Sequence, residues 1–94
     1  MIMKLIGYFD KKLGVYSSPI SMNDFDTEDL IEQTRRMCAN PKVPEAYFDY
    51  DLYVFGTFDD KRGEIKVFDK PEFVVSLNDF RNLREQVKEG EAHA

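Results

Sequence analysis

The sequence predicts an α+β fold: an antiparallel sheet built from two β-hairpins, one helix between them and a C-terminal helix. Three observations lead there. The stretch FDKKLG at residues 9–14 returns as FDDKRG at 58–63, each copy lies between runs of alternating character, and one capped amphipathic run separates the two. In both copies a strand-like run ends at Phe-Asp and charged residues follow. Gly14 or Gly63 then supplies the positive φ that closes a hairpin.

The first hairpin spans residues 3–20. Met3, Leu5, Gly7 and Phe9 alternate with Lys4, Ile6 and Tyr8, and VYSSPIS follows the turn. Pro19 confines the return strand to an edge or a strand end. The helix lies in FDTEDLIEQTRRMCAN. Asp26 is its cap, Phe25 and Leu30 stand at the positions of a hydrophobic staple, and Glu28 and Asp29 suit the positive end of the helix dipole. Leu30, Ile31, Thr34, Met37 and Cys38 form one stripe, with Glu32 and Arg36 paired four apart outside it. Asn40-Pro41 ends the helix.

PKVPEAYFDYD, with two prolines and no clean period, reads as a loop pinned by Tyr47, Phe48 and Tyr50. DLYVFGTF and EIKVFD alternate again and flank the second turn. EFVVSL is either a short strand or the entry to the last helix, in which Ser76 caps and Phe80, Leu83 and Val87 form the apolar side. Residues 89–94 read as a frayed tail of a single domain covering 1–94. Strand order is not readable, since two similar hairpins can form one sheet or exchange between copies.

Composition narrows the function classes. With 43% hydrophobic and 33% charged residues the chain is globular, and 94 residues bury a modest core without staples. Cys38, the only cysteine, has no partner for a disulfide, and His93 is the only histidine, so a reducing compartment and no metal cluster are expected. The amino-terminal apolar stretch is too short for a signal peptide, and no run approaches the ~20 residues that cross a bilayer. The expected location is therefore cytosolic and off the membrane. A net charge of −5 opposes indiscriminate binding to nucleic acid. Charge is uneven, however: residues 1–22 carry Lys4, Lys11 and Lys12 against Asp10 alone, whereas 23–33 carry five acids and no base.

No enzyme motif is present, and no cofactor is expected. Cys38 lies on the helix's apolar stripe and reads as a small core residue. Asp59 and Asp60 are adjacent at a turn, so their carboxylates do not converge on one bond. Asp49, Asp51, Asp59 and Asp60 lack the spacing of an EF-hand loop.

Single strands of nucleic acid are bound by aromatic faces on which bases stack and by cations that follow the phosphates. Tyr8 and Lys4 are expected on one face of the first strand, with Tyr16 near them across the hairpin. The second hairpin offers Tyr53, Phe55, Lys66 and Phe68, and the tips add Lys11, Lys12, Lys61 and Arg62. The competing reading of the same rows is a packed sheet face with solvated tips. A second class is a protein-binding module: both faces of the second hairpin are apolar, more than one helix layer covers, which points to a homodimer.

The order of pieces also carries a resemblance. MKLIGYFDKKLGVYSSPI, a helix ending in NPK, and PEAYFDYDLYVFGTFDDKRGEI resemble the small nonstructural protein of gokushoviruses, the single-stranded-DNA microviruses of bacteria. The similarity covers roughly residues 3–80, and DYDLYVFGTFDDKRGEI is its most distinctive portion. The resemblance implies a nonenzymatic, DNA-binding bacteriophage protein of the host cytoplasm. It also implies a role in the switch from double-stranded replication to single-stranded genome synthesis and packaging. Single-stranded DNA is the implied ligand, and a viral or host replication protein is the alternative partner. This chain departs from a simple DNA binder in being acidic, and its FRNLREQVKEGEAHA terminus is long for the pattern.

Overall fold

A computed structural model of the chain describes residues 1–23 and 26–83. Strands β1 (Ile2–Asp10), β2 (Val15–Tyr16) and β3 (Ile20–Met22) precede helix α1 (Thr27–Ala39) and a short 3-10 helix, Glu45–Asp49. Strands β4 (Tyr50–Asp59) and β5 (Glu64–Ser76) follow, and the chain then enters a second 3-10 helix, Leu77–Phe80, with helical residues 81–83 after it. The α+β class, the two hairpins, the intervening helix and the C-terminal helix are all present. None of the described helices is long and apolar enough to cross a membrane.

All five strands form one antiparallel sheet in the order β2-β1-β4-β5, with β3 beside β1 on the edge that β2 also uses. The two hairpins are thus joined through their long strands, β1 against β4. β4 carries one residue more than β1 where the register passes Leu5 and Ile6, so that Phe55 is left without an opposite number. β5 bulges more deeply: Val54 pairs with Glu72 and Gly56 with Val67, which leaves residues 68–71 opposite Phe55 alone. EFVVSL is therefore strand through Ser76, the far part of a β5 broken by that bulge, and its Leu77 opens the 3-10 helix. Pro71 sits in the bulge, where its missing N–H removes no ladder bond.

The two similar turns are built alike. Asp10 Oδ1 accepts from the amides of Lys12 (2.9 Å) and Leu13 (3.1 Å), and Gly14 follows with φ 69°. Asp59 Oδ1 accepts from Lys61 (3.0 Å) and Arg62 (3.4 Å), and Gly63 follows with φ 63°. A side-chain carboxylate satisfies the turn amides and a glycine takes the left-handed residue, which is why the same letters recur.

α1 begins as expected, with Asp29 N donating to Asp26 Oδ1 at 2.8 Å. The staple residue Phe25 lies outside the described residues. Leu30, Thr34 and Cys38 are buried against the sheet, and Ile31 and Met37 pack beside them. Thr34 escapes an unpaired hydroxyl by donating to Leu30 O at 2.8 Å. On the outer side Glu32 takes hydrogen bonds from both Arg35 and Arg36, and the Arg35 bonds lead in holding its carboxyl near pKa 2.

The core lies on one side of the sheet, where Ile6, Leu52, Val54 and Val75 meet α1, Val43, Phe48 and Leu77. Ser76 makes no capping bond with its side chain; its hydroxyl accepts instead from Lys11 Nζ at 3.2 Å. Leu77, fully buried, is the residue that turns the chain from β5 under the core. Phe80 packs against the core too, whereas Val87 and the 89–94 tail lie outside the described residues. Phe48, 1% exposed, pins the loop, with the Arg81 guanidinium 5.0 Å above its ring.

Leu77→Ala is expected to cost about 2–5 kcal/mol in urea unfolding, because the surrounding side chains come from strands and helices that cannot collapse together. Leu13→Ala, at a residue 74% exposed on a turn, is expected to stay within about 0.5 kcal/mol.

Candidate nucleic-acid interface

A sheet covered by helix on one side leaves a second face, and in this chain that face is apolar. Alternation from buried Ile6 puts Met3, Leu5, Gly7 and Phe9 on the side of β1 that is helix-free among the described residues, and cross-strand partners share a face. The register then adds Tyr16 opposite Phe9, Tyr53 opposite Gly7 and Phe73 opposite Tyr53. Toward the second hairpin it adds Phe58 and Ile65 in line with Met3, and Val67 in line with Leu5.

The rings at the first-hairpin end touch. Phe9 and Tyr16 have centroids 4.8 Å apart, Tyr16 meets Tyr53 at 5.4 Å and Phe55 at 5.6 Å, and Tyr53 meets Phe73 at 5.7 Å. Most of these contacts are edge-to-face, the arrangement that ring quadrupoles favour. Phe55, the unpaired residue of β4, lies over Gly7, where a Cβ would stand 2.4 Å from its ring. Glycine at position 7 is what lets that ring join the cluster. Tyr16 is 47% exposed and Phe73 57%, so the outer rings offer bare faces. Tyr53 has its phenol pKa raised, chiefly by desolvation and then by Tyr16 and Asp51.

Of the residues expected at the site, Tyr16, Tyr53 and Phe55 share this face. Tyr8 does not. Residues 11–14 lie between the last paired residues of the first hairpin, which sets Tyr16 opposite Phe9 and turns Tyr8 to the helix side. There Tyr8 stacks toward Tyr50 (6.0 Å) and lines a cleft of about 210 Å³ with Met22, Gln33 and Met37. Burial raises its pKa as well. Phe68 packs against the core, because the β5 bulge turns it inward. Phe9 and Phe73 belong to the cluster, and sequence reasoning missed both. A four-residue turn, once recognised, implies the Phe9–Tyr16 pair; no local signal gives the Tyr53–Phe73 pair across the bulge.

The cations divide into two groups at opposite ends of the sheet. β1 and β4 are antiparallel, so the first tip lies beside Tyr50 and the second beside Ile2, roughly 25–30 Å away at strand rise. Lys11 Nζ stands 3.2 Å from Asp51 Oδ1, an ion pair without a directed hydrogen bond, and Lys12 pairs with Asp49 at 3.3 Å. Because Asp51 pairs with Phe9 in the register, Lys11 borders the aromatic cluster. Asp49 and Asp51 stand at one end of β4 with Asp59 and Asp60 at the other, so these four carboxylates do not gather.

At the far end Lys4, Thr57 and Lys66 form one cross-strand row on the helix side of the sheet, beyond the reach of α1. Lys61, Arg62 and Lys66 line a cleft of about 410 Å³ there, together with Asp59 and Glu64. Arg62 lies 3.9 Å from Asp59 and Lys66 4.0 Å from Glu64, while Lys4 and Lys61 make no ion pair among the described residues. The candidate cations thus form two patches rather than one, each partly neutralised.

A spectrophotometric titration should find the Tyr53 phenol ionising above its ordinary value of 10.0. Tyr53→Phe should remove one late-ionising component, and Tyr16→Phe should move that component toward normal. The raised pKa favours the neutral phenol in the fold, so its contribution to stability is complete below pH ~10 and is lost as pH rises through the folded-state value.

No curated protein sequence and no solved structure matches the chain. One family does match: residues 3–80, from the first strand through the second 3-10 helix, fit the family described as Phage ORF5 protein. That stretch contains both turns, the aromatic face and the whole core, and the chain accordingly belongs to the Phage ORF5 protein family.

Proposed function

We propose that this bacteriophage protein is a nonenzymatic single-stranded-DNA-binding protein of the gokushovirus kind. It acts in the host cytoplasm, in the switch from double-stranded replication to single-stranded genome synthesis and packaging. The observation that carries the reading is the contiguous aromatic cluster on the helix-free face, with Tyr16 and Phe73 about half exposed. Bases stack on such a surface whatever their identity, each stack contributing roughly 1–3 kcal/mol. Duplex DNA hides its base faces, which favours single strands.

Electrostatics shape the affinity. The chain carries a net charge of −5, and Lys11, the cation bordering the rings, is already held by Asp51. Stacking therefore supplies most of the attraction, and phosphate contacts supply little. A shallow dependence on salt follows, unlike the steep one of a basic groove. The lack of cations among the rings, within the described residues, also favours a second reading: the same face receives an apolar surface of a viral or host replication protein.

Fluorescence anisotropy with oligo-dT tests the choice. Replacing Tyr16 and Phe73 together by alanine should weaken binding about tenfold or more. Lys11→Ala should lower the salt slope by about 0.7 at most, the share of one phosphate contact on a single strand. Lys61→Ala with Arg62→Ala should leave an oligomer of about four nucleotides unaffected and weaken only one of about sixteen, long enough to pass the second tip. No binding of oligo-dT at low salt, with the ring face still required for capture of a replication protein, would replace this reading by the second.

A further inference from the structure

β5 ends the sheet, and its outer edge has no partner among the described residues. Within the bulge Pro71 blunts that edge, but residues 64–67 present regular strand with exposed backbone and two bare aliphatic side chains, Ile65 (60% exposed) and Val67 (74%). Large apolar side chains on an open edge call for a covering strand. The occupant can be read from the charges. Directly opposite residues of an antiparallel pair share a face, so two copies of this segment can meet only about a residue, on Glu64, Ile65, Lys66 or Val67, and a twofold on Glu64 sets glutamate against glutamate. A twofold on Lys66 sets lysine against lysine, and one on Val67 sets Ile65 against Asp69. A twofold on Ile65 sets Ile65 against its own copy and Glu64 against Lys66 of the other chain, twice.

We infer that the protein forms a homodimer by antiparallel pairing of the β5 edge about Ile65, with reciprocal Glu64–Lys66 ion pairs. The pairing joins the two sheets edge to edge. Within one chain Glu64 and Lys66 are only loosely associated, at 4.0 Å and well exposed, so each is free to turn toward a partner strand. Met3, Phe58 and Ile65 of both copies form one apolar strip across the seam. The ladder is short, which makes the dimer weak and dependent on concentration. None of this uses Tyr16 or Phe73, so it stands apart from the DNA-binding reading.

Sedimentation from micromolar to millimolar protein is the test, with circular dichroism to confirm that each variant folds. The wild type should pass from monomer to dimer. Glu64→Lys alone or Lys66→Glu alone puts like charges opposite each other and should weaken the dimer about tenfold or more. The double variant, and an equimolar mixture of the two single variants, should recover it, since each restores opposite charges across the seam. A wild type that stays monomeric to millimolar, a dimer indifferent to both single changes, or a mixture that fails to recombine would overturn the proposal. Oligo-dT affinity of the alanine variants at Tyr16 and Phe73 is read separately and bears only on the DNA reading.

Discussion

One surplus residue governs how this sheet divides its labour. Between Leu5 and Ile6 of β1 the opposing strand has to place Val54, Phe55 and Gly56, and three residues cannot face two without one leaving the ladder. Phe55 leaves, and its ring settles over Gly7. From that point the alternation of β4 reverses relative to its first half. Leu52 and Val54 face the helix, yet so does Thr57, and Phe58 turns to the open side. The backbone crowding is real: a Cβ on Gly56 would stand 2.0 Å from the carbonyl oxygen of Lys66. Only a residue with no side chain lets β5 approach there.

Two surfaces follow. One helix and a short C-terminal turn are enough to cover the sheet near the first hairpin, where Ile6, Leu52, Val54 and Val75 converge, and they reach no further. Past the bulge the helix side therefore carries Lys4, Thr57 and Lys66, residues content with water. The opposite face, which no other element covers among the described residues, keeps its rings at one end and aliphatic residues at the other. Exposed ion pairs such as Lys12 with Asp49 contribute about 0–1 kcal/mol at most. Their effect is to hold the tips against their own carboxylates.

Local chemistry was legible and long-range geometry was not. Asp-x-x-x-Gly turns and the Asp26 cap depend on residues a few places apart, so both hairpins and α1 can be read from the letters. The pairing of β1 with β4 closes across some fifty residues and leaves no local mark. Register has the same limit. Counting outward from Gly14 without the closing pair Asp10–Val15 puts Tyr16 beside Tyr8, and one step of error moves a ring to the other face. Hence the letters point to Tyr16, Tyr53 and Phe55 as ring-face residues but place Tyr8 and Phe68 on the wrong side and give no sign of Phe9 and Phe73. The basic tips were identified correctly as turns, but their distance apart is a property of strand direction, which the letters do not state.

Cys38 sits in this scheme as a filler of the helix-to-sheet contact, wholly enclosed, with burial raising its thiol pKa. Thiolate is the reactive form, so the native sulfur is silent toward electrophiles while the fold holds. The chain has no other cysteine, so its outside carries no thiol. A spectroscopic reporter attached through one introduced surface thiol would occupy a single known position on a phage protein that needs no prior removal of its own cysteine.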